Sequence, residues 1–172
     1  MNQPNHPPPA ERWELRTPRH PVNRRAVYWW MLQALVFNGG IAAAALTVRL
    51  IWPSTAGWST PALVLALLVL LVALFVEPFW RYRVHRWETS EHAVYARSGW
   101  LVREWRAAPL SRAQTIDAIQ GPLEQLLGLA TLRVTTASSG GAINIVGLDH
   151  ATAQRTATEL TRIAELTEGD AT

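Results

Sequence analysis

The chain contains no cysteine, so disulfide cross-links and thiolate chemistry are excluded. It contains no lysine either. All 16 basic residues are arginine, which reads as a coding bias rather than a function. No G-x-S-x-G motif is present, and the five histidines (His6, His20, His85, His92 and His150) are scattered, with no i, i+4 pair to clamp a metal on a helix face. Only His85 and His92 are spaced to meet across a hairpin. These absences leave no catalytic, cofactor-binding or metal-ligating constellation to nominate. Charge is sparse as well, at 17% of residues against 49% hydrophobic, with a mean hydropathy of +0.03. A wholly soluble domain would be more charged and a pure membrane bundle more apolar, so the composition points to a small membrane part joined to a small water-soluble part.

What is present is a run from Pro61 to Val76 without a charge or a polar side chain, ending at Glu77-Pro78-Phe79-Trp80-Arg81. At about 1.5 Å per helical residue, the run plus its aromatic flank through Trp80 approaches the roughly 30 Å of bilayer hydrocarbon. Residues 61–80 are therefore expected to cross a membrane. A second, less pure stretch covers residues 27–52, with Trp29, Trp30 and Trp52 as interfacial aromatics and Arg49 near enough to one end to snorkel. Arg24-Arg25 and the small residues at Ala42 to Ala45 raise the alternative of a cleaved leader. The apolar pattern resumes through Trp52, however, and favours a retained span. Residues 53–60 carry no charge, whereas five arginines precede the first span and Arg81, Arg83 and Arg86 follow the second. The positive-inside rule then predicts a multi-pass protein of the inner (plasma) membrane, a helical hairpin with both termini cytoplasmic.

Four prolines within the first nine residues predict an extended, disordered tail through residue 26, and residues 168–172 read as a disordered C-terminus. From Arg81 onward ten arginines balance ten acidic residues, so no basic face for nucleic acid is expected. Within the hairpin, Asn38, Gly39, Gly40, Ala43 and Ala44 are the candidate helix-packing residues: small side chains allow close approach, and the Asn38 amide can hydrogen-bond across helices. The sharper reading of Asn38, a transport site in a small transporter component, suffers because one amide forms no polar pathway.

Beyond the spans the pattern turns to short strands: Tyr82 to Trp87, Ala93 to Ser98, Leu101 to Ala108, Gln114 to Ile119, Ala130 to Ala137 and Ala142 to Val146. A helical turn at Leu123 to Leu127 is closed by Gly128, and Ser138 to Gly141 make a hairpin turn. Gly121 and Gly128 are assigned to backbone conformation at turns. Residues Thr152 to Leu166 form an amphipathic helix with Asp149 as N-cap, its stripe being Ala153, Ala157, Leu160 and Ala164 with Ile163 beside them. Asp117 is placed to pair with Arg112 or Arg133. The pattern describes an α+β domain, a bent antiparallel sheet or partial barrel with one helix over an open face or end.

Several segments of this region, Pro109-Leu110-Ser111-Arg112, Gln114-Thr115-Ile116-Asp117, Gln120-Gly121-Pro122-Leu123-Glu124, Leu127 to Val134, and Ile145-Val146-Gly147-Leu148, resemble the YdbS-like bacterial pleckstrin-homology family. The resemblance spans about Arg81 to Leu166, and it places a PH-like domain at residues 81–167. It implies a bent seven-stranded antiparallel sheet capped by the C-terminal helix, behind two membrane spans. It brings no enzymatic activity, cofactor or catalytic residue. Glu88 and Glu91 in the first strand–loop–strand unit repel phosphate, which disfavours an inositol-phosphate pocket despite Arg86 and Arg97 beside it.

The expected function is a membrane-anchored, non-enzymatic interaction or scaffold module with a protein partner or a second copy of itself. The alternative is an anionic-lipid or membrane-stress sensor, with Arg24, Arg25, Arg81, Arg83 and Arg86 as lipid contacts.

Overall fold

The computed structural model describes residues 17–136 and 141–169, with side chains through residue 166. The tail over residues 1–16, the turn at Ser138, Ser139 and Gly140, and the last residues 170–172 lie outside the described residues.

Two long helices form the hairpin. Helix α1 (Arg25–Ile51) is joined to α2 (Ala56–Phe75) by a short 3-10 turn at Pro53–Thr55, tighter than the eight-residue connection expected. The 20 residues of α2 rise roughly 30 Å, the thickness of bilayer hydrocarbon. Both α1 and the segment Pro53–Val84 are long and apolar enough to cross a membrane. Large apolar side chains such as Phe37, Leu50 and Leu65 point away from the hairpin seam, while Ala42 and Ala73 are buried in the hairpin. Such an outward face is favourable in lipid and not in water. At the turn, Arg49 Nε donates to Thr60 Oγ1 at 3.1 Å, far from Glu77.

The helical path does not stop at Glu77. It breaks at Val76 and resumes as α3 (Glu77–Val84), with Pro78 in the first turn of the new helix. A proline there lacks the N–H for the preceding turn and its ring crowds that turn's carbonyl, which ends α2 while starting α3. The strand expected over Tyr82 to Trp87 is thus helical as far as Val84. The alternating pattern of that stretch is outweighed by a Glu77–Arg81 ion pair one turn apart (3.2 Å) and by arginine caps on the helix end, described below.

The domain holds two antiparallel sheets. The first orders β1 (His20–Pro21), β2 (Arg86–Thr89), β3 (Ala93–Ser98) and β4 (Glu104–Pro109), and the second orders β5 (Ala113–Ile119), β6 (Leu129–Thr136) and β7 (Ile143–Asp149). A one-and-a-half-turn helix, α4 (Pro122–Leu127), links β5 to β6, and α5 (His150–Gly169) closes the domain. Alternation along β6 sends Ala130, Leu132, Val134 and Thr136 inward. Ala130, Leu132 and Val134 meet Val94, Ala96 and Ala108 of the first sheet and Ala153 and Leu160 of α5 in one core. The Gln120–Glu124 motif finds its reason at α4. Glu124, buried, accepts the Gly121 N–H at 2.8 Å and the Thr131 hydroxyl at 2.7 Å, tying the start of α4 to β6. Gly121 itself has an ordinary φ of −76°, so it acts as the N-cap and not through glycine's conformational freedom; Gly128 is the left-handed cap at φ 66°.

Seven strands are present among the described residues, but one comes from the wrong end of the chain. β1 lies before the hairpin and pairs with β2, His20 opposite Trp87 and Pro21 opposite Arg86. The segment expected to be extended tail through residue 26 is therefore ordered from this strand on. Val22 and Ala26 are buried, and they do not read as core of the domain in the sequence, because Val22 is a single apolar residue before Asn23 and two arginines and Ala26 is a small residue at the edge of the first apolar stretch.

Candidate functional site

The junction between hairpin and domain is built from both sides of the membrane segment. In β7 the register slips, so that Thr131 of β6 stands opposite both Val146 and Gly147. Gly147 takes the left-handed φ of 75° that such a bulge uses. The bulge turns the Gly147 carbonyl outward to accept the Asn23 N–H at 2.8 Å. It also leaves room for α1: a Cβ on Gly147 would lie 2.6 Å from the Ala26 Cβ. Around this point Val22, Ala26, Trp30 and Leu129 form a second buried cluster, with Tyr82, Trp87 and Leu127 packed on it. The hairpin is held by the domain, not tethered to it.

The arginines expected to touch lipid divide in two. Arg86 Nη1 donates to the Tyr82 and His85 carbonyls, both at 3.0 Å, and Arg97, its cross-strand neighbour, donates through Nε to the Val84 carbonyl at 2.9 Å. Together they satisfy the orphan carbonyls at the end of α3 and place positive charge on the negative end of its dipole. Arg81 pairs with Glu77 and lies over the Trp30 ring, 4.7 Å from its centroid. Arg25 is exposed and reaches the Leu127 carbonyl at 3.4 Å. Arg24 and Arg83 are exposed. No sequence signal distinguishes the capping arginines, because their partners are backbone carbonyls.

His85 is buried and also packs on Trp30, with ring centroids 5.1 Å apart. Its Nδ1 lies 2.8 Å from the Arg81 carbonyl, which can only accept, so the ring carries its proton there. His85 and His92 do not meet: His85 precedes β2, while His92 lies in the turn after it. Burial, supported by the nearby Arg81 charge, lowers the His85 pKa to about 4. The unfolded chain, with a pKa near 6.5, binds the proton more readily than the folded one. Stability should therefore be full above about pH 6.5, fall as the pH drops toward 4, and level off below, a loss on the order of 3 kcal/mol. Denaturation of the purified protein against pH checks this, and His85→Gln should flatten that window.

The candidate packing residues are only partly gathered at the hairpin seam. Asn38 and Gly39 are half-buried, whereas Gly40, Ala43 and Ala44 are exposed on α1. Asn38 does not bond across helices; its Nδ2 donates to the Ala34 carbonyl of its own helix at 3.3 Å. The seam instead passes along the turn-spaced Asn38, Ala42 and Ala45, a face set by where α2 packs. Asp117 stands opposite Arg133 in register, yet Arg133 Nε donates to Asn144 at 3.1 Å. Among the described residues, no group of three or more His, Cys, Asp or Glu is placed to hold a metal.

Strand direction sorts the domain's surfaces. β2 leaves α3 and runs away from the hairpin, so the β2–β3 turn at Ser90 to His92 is distal, and β3 brings the chain back toward the hairpin. At the distal end a cleft of about 470 Å³ opens between that turn and α5, lined by Glu91, Arg155, Thr156 and Glu159 over Leu160 and Ile163. At the proximal end a cleft of about 390 Å³ is walled by Glu77, Arg81, His85, Trp100 and Asn144.

Two short antiparallel sheets on one core, closed by a C-terminal helix and carried on two apolar helices, define a membrane protein with a pleckstrin-homology-like domain. The family described as "Bacterial PH domain" matches residues 32–163, and the chain belongs to it. It is also similar to "UPF0699 transmembrane protein YdbS" of Bacillus subtilis (strain 168), with 30% identity over 159 residues covering 89% of this chain and 97% of that protein. No solved structure matches. The match beginning at residue 32 takes in most of α1, in keeping with a hairpin and domain that pack as one unit.

Proposed function

We propose that this protein is a membrane-anchored, non-enzymatic interaction module of the inner membrane, with both termini cytoplasmic and its distal cleft facing a soluble or peripheral protein partner. The observation that carries the reading is the division of surfaces. The proximal cleft is walled in part by the protein's own α3, while the distal cleft, with the charged Glu91, Arg155 and Glu159 at its rim and apolar side chains at its floor, lies clear of the hairpin. That combination suits a polypeptide segment, which needs an apolar anchor and polar positioning groups. The pairing of β1 with β2 across the two spans supports a shared side for tail and domain, and the arginine-rich flanks support the cytoplasmic one.

Native membranes solubilised in mild detergent should yield the full chain in an assembly larger than a monomer. Arg155→Glu, on the exposed side of α5, should shift it to monomer without reducing its amount in the membrane. Monomers for both chains, with no crosslinked partner, would sink the reading. Recognition of anionic lipid by arginine, the second reading, rests mainly on Arg24 and Arg83, since Arg81 and Arg86 are engaged within the protein.

A further inference from the structure

We infer that the β3–β4 loop, residues 99–103, is a third membrane contact: an apolar tip that enters the headgroup and upper acyl region of the same leaflet from which the hairpin emerges. The loop carries Trp100, Leu101 and Val102 in succession. Leu101 and Val102 are 76% and 73% exposed, among the most exposed large apolar side chains in the protein. Two adjacent aliphatic residues at the tip of a loop have no reason in water.

Continuity with the membrane surface of the hairpin identifies what covers them. Trp100 lines one cavity with Leu68, Val69, Val72 and Ala73 of α2, and Leu68 and Val72 are themselves exposed, lipid-facing residues of the span. Val72 lies five residues before Glu77, about 7 Å along the helix, so the loop stands beside the last turns of the membrane helix and not below its end. A water-exposed tip at that height would have to displace lipid without contacting it.

The loop is built to be held there. Gly99 has φ 96°, and a Cβ on it would fall 1.8 Å from the Val102 carbonyl, so the chain can double back on itself only with glycine at this position. Arg103 and Trp105 follow the tip, a basic and an aromatic residue where headgroups and the interface lie. A contact at the tip would add a point beside α2 and so help fix the tilt of the domain on the bilayer, a constraint that two helices in one plane do not supply.

The absence of cysteine makes the test direct. Leu101→Cys, Val102→Cys and, on the distal turn, Glu91→Cys would each be labelled with an environment-sensitive fluorophore in the full chain. Each would then be reconstituted into phosphatidylcholine–phosphatidylglycerol vesicles with and without doxyl-labelled lipid. The expected result is blue-shifted emission at 101 and 102, with lipid quenching several-fold stronger than at 91 and little quenching by aqueous iodide. Equal lipid quenching at all three positions would overturn the inference. So would shielding of 101 and 102 from iodide and lipid alike, which would mean that a protein or a second copy covers the loop.

Discussion

Adding a single methyl group at Gly147 is expected to free the start of α1 from the domain. In Gly147→Ala the new Cβ meets the Ala26 Cβ at 2.6 Å, a separation that requires one backbone to move. The substitution also forces a side chain into the left-handed region at φ 75°, at a cost of about 1–2 kcal/mol. If α1 moves, the Asn23–Gly147 hydrogen bond goes, worth about 1 kcal/mol, and Val22 loses part of the roughly 1.5–3 kcal/mol its burial contributes. The whole change should reach about 3 kcal/mol or more. Hydrogen exchange in nanodiscs reads it locally: the Asn23 amide should lose protection while those of β6 keep theirs. Unchanged protection at Asn23 would mean that the bulge is not the point of attachment.

Trp30→Ala should be as damaging, by a different route. The ring is 3% exposed and contacts both the Arg81 guanidinium and the His85 imidazole. Truncation of a buried tryptophan costs about 3–5 kcal/mol through lost burial and the cavity left behind. Here it would also admit water to His85, whose pKa should climb from about 4 toward its ordinary value. An NMR titration of the histidine separates this from general loosening. Trp30→Phe is the control. The indole N–H has no hydrogen-bond partner, so phenylalanine loses area but no bond, and the cost should fall to about 1–2 kcal/mol. If alanine and phenylalanine cost the same, the ring is not the keystone of the junction.

Much of the domain was legible from local pattern. Leu132, Val134 and Thr136 turn inward because strand geometry alternates, and Ala153 and Leu160 because a helix repeats every 3.6 residues. Gly128 closes α4 for a reason that is likewise local. The misreadings share a cause. Tyr82 to Val84 alternate like a strand, but Arg86 and Arg97 cap the carbonyls of a helix there, and a cap supplied from a neighbouring strand leaves no mark in the segment it caps. Gly40, Ala43 and Ala44 are small enough for close packing, yet the azimuth at which α2 meets α1 turns them outward. Small residues permit a contact; they do not choose its direction.

What the sequence determined by itself is therefore the character of each piece: two apolar helices long enough for a bilayer, the domain that follows them, and the absence of thiol chemistry. These depend on composition and on periods of two and 3.6, which are properties of neighbours in the chain. Only the tertiary structure decided how the pieces are joined. That His20–Pro21 completes a sheet begun at Arg86, and that Gly147 receives Ala26, are pairings across a hairpin of two long apolar helices. No local pattern encodes them, because each half buries its surface only when the other arrives.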